Sequence, residues 1–266
     1  MRGRDTIAVI AERGRGAYSV IVWLASYPRS GNTLLRTILQ QAFGLPSYSV
    51  YDDPCDIGAN PGVAQLVGHR PLGMDLDRFL DEHRRADAPT FLKTHDAPEL
   101  AHPGERAIYI ARDGRAASVS YRNYLRRVIG RPRVTIEDVV LGRNVRFGHW
   151  SGHIESWQPR TRPHTLLIRF EDLMDAPERS IAQVREFTGL RPIAEWQNRF
   201  EAMHRIDPRF FDVGSNTRNI ALLDPGSGAL FWERHGRYMA ELGYQDERAP
   251  SGTAPPSARE PLASSG

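Results

Sequence analysis

The segment Tyr27-Pro28-Arg29-Ser30-Gly31-Asn32-Thr33 constrains the fold of this chain more than any other stretch. It follows a short apolar run at 19–25 that reads as a buried strand. It precedes Leu34, Leu35, Ile38, Leu39 and Phe43, which recur at helical spacing. Pro28 ends the strand, Gly31 permits a tight turn, and Asn32 and Thr33 open the helix. The first N–H groups of such a helix have no internal acceptor and lie at the positive end of its dipole, so the turn is a cradle for an anion. The hydroxyls of Ser30 and Thr33 and the guanidinium of Arg29 add donors. The spacing is not that of a Walker A loop, because no Gly precedes at the required distance and no Lys follows Gly31. This disfavours a nucleoside triphosphatase or a P-loop-type kinase.

Short apolar runs then alternate with helical patterns. Strands are predicted at 90–93, 107–111 and 165–168. Helices are predicted over 116–127, around Ile181, Val184 and Phe187, and through Leu230, Phe231, Tyr238, Met239 and Leu242. The expected fold class is α/β, a parallel sheet flanked by helices in a P-loop-like three-layer sandwich. A chain of 266 residues with 40% hydrophobic content can bury one large core. Residues 18–245 are read as one domain, 1–17 as a flexible Arg- and Gly-rich extension, and 246–266 as a disordered tail rich in Pro, Ser and Ala.

Ligands in such sheets bind beyond the carboxyl ends of the strands, so the residues just after each strand carry the interest. After the second strand comes Lys93-Thr94-His95. It places an ammonium beside an imidazole, the side chain best suited to accept a proton near neutral pH. Lys93 is the only lysine among 35 basic residues. After the third strand comes Arg112, with Ser120 eight positions on in the following helix. A forked guanidinium and a hydroxyl there can hold a second phosphate.

The formal net charge of +3 is too small to suggest a nucleic-acid partner. One cysteine, Cys55, excludes an intrachain disulfide. No metal is expected, since the nine histidines show no ligand spacing and His149 and His153 read as a solvated helix face. No apolar run reaches transmembrane length, and the Arg-bearing first residues lack a signal-peptide stretch, so the cytoplasm is the default.

Together these segments resemble the sulfotransferase family that uses 3′-phosphoadenosine 5′-phosphosulfate (PAPS). Tyr27–Thr33 is similar to its 5′-phosphosulfate loop, and Lys93-Thr94-His95 to the segment bearing its general base. Arg112 with Ser120 is similar to its 3′-phosphate grip, and Arg169-Phe170-Glu171-Asp172 to its Tyr-Glu-Asp segment. An aromatic helix with Trp150, Ile154 and Trp157 lies where the family has one. The resemblance implies sulfuryl transfer from PAPS to a hydroxyl or amine, without a metal. It casts His95 as general base, with Arg29 and Lys93 stabilising charge on the leaving oxygen. Arg29, Ser30, Gly31, Asn32, Thr33, Arg112, Ser120 and Phe170 would bind the donor.

The chain departs from the family pattern in several places. Arg29 stands for a usual Lys, Leu34 for a frequent Trp, and Phe170 for Tyr. Asp212-Val213-Gly214 stands where the family has Arg-Lys-Gly, with Arg209 and Arg218 as candidate replacements for the lost charge. The acceptor is expected to be a small molecule, lipid or carbohydrate, selected by the stretches at 45–69 and 124–148. Alternative readings are a non-catalytic nucleotide-binding protein and a P-loop-type kinase.

Overall fold

The structure is a computed structural model and describes residues 21–51, 57–211 and 216–245. The readings placed on 1–17, on 246–266, on Cys55 and on Asp212-Val213-Gly214 lie outside the described residues, as do the first two residues of the strand predicted at 19–25.

In chain order the elements are β1 (Ile21–Ser26), α1 (Asn32–Phe43), β2 (Tyr48–Ser49), α2 (Pro61–Val67), α3 (Leu76–Arg84), β3 (Thr90–Thr94), β4 (Arg106–Ala111), α4 (Gly114–Arg127), α5 (Ile136–Leu141), α6 (Trp150–Trp157), β5 (Thr165–Arg169), α7 (Phe170–Asp175), α8 (Pro177–Thr188), α9 (Phe200–Ile206), α10 (Asn216–Ile220) and α11 (Pro225–Glu241). The five strands form one sheet in the order β2-β3-β1-β4-β5, with every pairing parallel. Parallel neighbours need long crossovers, and the helices supply them on both faces. Among the described residues this is the parallel, helix-flanked α/β sheet expected from the sequence. The short strand β2 and the helices α2, α3, α5, α7, α9 and α10 were not anticipated.

β1 is central, and all six of its residues are buried, so its side chains feed two cores. Trp23 and Ala25 join Tyr109, Tyr121, Trp150, Trp157 and Phe231 on the face covered by α4, α6 and α11. Val22 and Leu24 join Leu35, Ile38, Ile108, Ile110, Ile168 and Val184 on the face covered by α1 and α8. Each large side chain buried in this way contributes about 1.5–3 kcal/mol relative to exposure. The alternation along β1 is therefore the physical basis of the three layers.

One expectation is overturned here. His153 does not lie on a solvated face. It is buried, its ring is 6.1 Å from Tyr27, and its Nδ1 is 2.7 Å from the Tyr109 hydroxyl. Burial pushes its pKa down to about 3, so it is held neutral. The reason is its place between Trp150 and Trp157, on the apolar stripe of α6. His149 caps the same helix, accepting from Gly152 N–H at 2.9 Å.

Away from the sheet's carboxyl edge, Glu105 fastens β4 to its surroundings. It accepts from Trp23 Nε1 at 2.7 Å, Arg84 Nε at 2.7 Å and His102 N–H at 2.9 Å. Burial by itself would raise its pKa, but these donors hold it below the ordinary carboxyl value. A depressed carboxyl pKa contributes stability that is present above the unfolded-state value and is lost as pH falls through the folded one. Glu105→Gln is expected to cost about 2–3 kcal/mol in guanidinium unfolding at neutral pH. The difference from the parent should shrink as the medium is made acidic. A difference that grew with acidity would contradict this role.

Candidate active site

The carboxyl edge of the sheet gathers the chemistry. Thr94 of β3 pairs with Ala25 and Ile110 of β4 pairs with Ser26, so the three strands end nearly level. The turns that follow them line one cavity of about 470 Å³. Among the expected residues, Arg29, Gly31, Asn32, Thr33, Lys93, His95, Arg112, Ser120 and Phe170 line it. Ser30 is not among the lining residues and is buried just beneath them.

The loop after β1 is held from behind. Asn32 Nδ2 donates to Leu24 O at 2.7 Å and to Ser26 Oγ at 3.2 Å, tying the start of α1 to the end of its own strand. The Asn32 Nδ2 donors are thus spent on the fold, Oδ1 is buried without a hydrogen-bond partner among the described residues, and the backbone N–H is what remains to donate to an anion. Arg29 has φ 66° and Gly31 φ 105°, and this curls the chain around the cavity floor. A Cβ at Gly31 would meet Phe170 Cδ2 at 2.6 Å, so the ring of Phe170 fixes the back of the cradle. Ser30 Oγ is buried with no hydrogen-bond partner among the described residues. A cradle with an orphaned hydroxyl beside a helix start fits an oxyanion.

His95 follows β3 directly. Its Nδ1 is 2.7 Å from Ser26 O, and since a carbonyl can only accept, Nδ1 carries the hydrogen and Nε2 the lone pair. The ring stacks on Tyr51, with centroids 5.9 Å apart and planes inclined at 16°, and meets Phe147 edge-on at 5.6 Å. The His95 N–H donates to the Tyr51 hydroxyl at 2.7 Å, and that hydroxyl donates to Asp96 Oδ2 at 2.8 Å. Burial foremost keeps Tyr51 protonated, raising its pKa. Lys93 lies two residues earlier, buried within β3, its Nζ 4.8 Å from the Tyr51 ring centroid.

Arg29 Nη2 donates to Phe210 O at 2.6 Å, and Arg29 Nε to Ser120 Oγ at 3.3 Å. Ser120 is therefore bound to Arg29, while Arg112 reaches elsewhere. Arg112 Nη1 donates to Arg29 O at 2.8 Å and Nε to Asn216 Oδ1 at 2.6 Å, with the guanidinium over the Phe170 ring at 4.3 Å. Its Nη2 is buried with no hydrogen-bond partner among the described residues. Burial first, then repulsion from Arg29, pushes the Arg112 pKa down to about 10, so it keeps its charge at neutral pH. Asn216 is held in turn by Glu171, which also accepts from Asp113 N–H and the Tyr244 hydroxyl. Arg209 lines the cavity, whereas Arg218 is exposed on α10 and is not among its lining residues.

Sequence reasoning missed Asn216, Tyr51 as a partner of His95, and the Phe210 carbonyl. Nothing in the spacing of Asn216 marks it, since it meets Arg112 from 104 residues away. Among the described residues no cluster of His, Cys, Asp and Glu is arranged to hold a metal ion, and no helix is long and apolar enough to cross a membrane.

A family model described as "Sulfotransferase domain" matches residues 21–205. The chain belongs to the sulfotransferase family, a class of group-transfer enzymes. Mouse sulfotransferase 1A1 is 26% identical over 205 residues, covering 71% of this chain and 68% of that protein. Rat sulfotransferase 1C2 is 24% identical over 176 residues, covering 62% of this chain and 57% of that protein. Dog sulfotransferase 1A1 is 29% identical over 186 residues, covering 62% and 58% respectively. The match thus spans less than two thirds of the rat and dog proteins. Among solved structures, retinol dehydratase in complex with androsterone and the inactive cofactor PAP superposes with a TM-score of 0.58 at 19% identity, covering 87% of this chain and 84% of that one. Mouse sulfotransferase SULT7A1, complexed with PAP, gives a TM-score of 0.57 at 17% identity, covering 90% and 93%. These neighbours share the fold.

Gly31→Ala tests how tightly the cradle is built. The added methyl meets Phe170 and forces a positive φ on an L-residue, so stability should fall by about 3 kcal/mol in denaturant unfolding. An unchanged midpoint would mean that Phe170 does not back the loop.

Proposed function

We propose that the chain transfers a sulfuryl group from PAPS to a hydroxyl or amine of a small-molecule acceptor, with His95 as general base. The observation that carries this reading is convergence. Arg29, His95 and Arg112 follow three different strands, yet they line one cavity beside a phosphate cradle. Family membership supplies the reaction class, and two fold neighbours were solved with PAP.

The donor is a substrate with two phosphate positions, and two sets of groups suit them. The amides at the start of α1 and the orphaned Ser30 Oγ suit the 5′ group. Arg112, with its partnerless Nη2, suits the 3′-phosphate. Because Ser26 O fixes the hydrogen on Nδ1, Nε2 is the atom that takes the acceptor's proton as the acceptor oxygen or nitrogen attacks sulfur. The bond from sulfur to the bridging oxygen breaks, and Arg29 and Lys93 stabilise the charge left there. A sulfuryl group carries less negative charge than a phosphoryl group, so fixed cations and oriented amides suffice. The apolar side chains around His95, Tyr51 and Phe147 among them, exclude water from the transfer.

Calorimetric titration with adenosine 3′,5′-bisphosphate should give saturable binding, and absence of binding would sink the proposal. Arg112→Ala should weaken that ligand about tenfold or more while barely affecting an analogue without the 3′-phosphate. Equal losses for both would reassign Arg112. His95→Ala should keep the bisphosphate affinity and lower turnover about 100-fold, read with radiolabelled donor. Unchanged turnover would remove His95 from the mechanism.

A further inference from the structure

The charged residues of the chain nearly balance, 35 basic against 32 acidic, but those of the cavity do not. Its described lining holds six arginines and Lys93, and no Asp or Glu. The donor reading uses Arg29, Lys93 and Arg112. A second group, Arg127, Arg131 and Arg146, is left over at the mouth, set among Leu125, Ile129 and Phe147. Arg127 and Arg146 are exposed there and Arg131 is half-buried.

Two of these are positioned. The Arg146 guanidinium lies over Tyr51 at 4.8 Å and over Phe147 at 5.0 Å. Both rings also pack against His95. Arg131 Nη2 donates to Asn144 O at 2.7 Å, which draws the stretch after α4 against the stretch that carries Arg146. Neither arginine makes an ion pair with a described residue. A guanidinium held on aromatic faces has already lost part of its rotamer freedom, so an anion arriving there meets a preorganised partner.

We infer that the acceptor is an amphipathic acid: an apolar body with its reacting hydroxyl at His95 and a carboxylate or comparable anionic group at Arg146 and Arg131. The apolar wall takes the body, and the two arginines take the charge by fork-shaped hydrogen bonds. This assignment rests on the sulfuryl-transfer reading of the cavity, but its test does not use the donor.

The test is calorimetric binding of a hydroxynaphthoate and of an ω-hydroxy medium-chain fatty acid, each beside its methyl ester, at low and at raised salt. The acid should bind at least about tenfold more tightly than its ester, and the preference should weaken as salt rises. R146Q should abolish most of that preference, and R131Q part of it. Equal affinity of acid and ester, no binding of either, or a preference that survives R146Q would overturn the inference. So would R146Q weakening adenosine 3′,5′-bisphosphate as much as it weakens the acid, since Arg146 would then belong to the donor. Failure of the bisphosphate to bind, with acid preference intact, would strike the donor reading and the role of the acid as acceptor, and leave only an acid-binding site at Arg146 and Arg131.

Discussion

The parallel register of β3, β1 and β4 is the constraint on which the site depends. Ala25 faces Thr94 and Ser26 faces Ile110, so three turns from distant parts of the chain leave the sheet at one level. Side chains alternate along a strand, so a slip of one residue in β3 would turn Lys93 to the opposite face and carry His95 away from Ser26. The two buried cores prevent this slip. Phe91 belongs to the layer under α1, and Leu92 to the layer under α4 and α6. Exchanging them would bring each against the wrong helices. The packing that stabilises the sheet therefore also sets the distance between the imidazole and the anion cradle.

Holding several cations near one cavity is costly, and the fold offsets that cost with fixed acceptors. Arg29 finds the Phe210 carbonyl and the Ser120 hydroxyl, and Arg112 finds the Arg29 carbonyl and Asn216. Glu171 is the carboxylate behind them, engaging Asn216, Asp113 N–H and Tyr244. It is held away from Arg112 by the intervening Asn216, so it steadies the positive charge and leaves the unpartnered Arg112 Nη2 uncovered. The partnerless Ser30 Oγ and Arg112 Nη2 show the other side of this arrangement. A buried donor left without a partner lowers stability, and under the proposed function a ligand oxygen would recover that loss.

Much of this was legible in the sequence because the cradle, the Lys93–His95 pair and Arg112 all lie where an apolar run gives way to a turn. Local pattern reading detects that kind of change. The carbonyl that orients His95 belongs to Ser26, in another strand, and Asn216 reaches Arg112 from a distant part of the sequence. Neither relation leaves a trace in spacing, the second spanning 104 residues. The misreading of His153 has a different source. The i, i+4 relation to His149 suggested a polar face, but Trp150, Ile154 and Trp157 at three-, four- and seven-residue intervals define an apolar stripe that includes position 153. Weighing the stripe above the pair would have placed His153 in the core. The two-residue strand β2 was missed because it exists only through its pairing with β3.

The substitution of arginine for the family's usual lysine at position 29 has a physical reading in the same network. Burial and a neighbouring cation together lower Arg112 to about 10, and the charge survives because guanidinium starts so high. A guanidinium also satisfies two acceptors in different directions, here the Phe210 carbonyl and Ser120 Oγ, through separate nitrogens of one rigid plane. Arginine at this position therefore ties the loop after β1 to both α4 and the segment before α10 through two separate nitrogens, whereas a lysine would have to reach both acceptors from one.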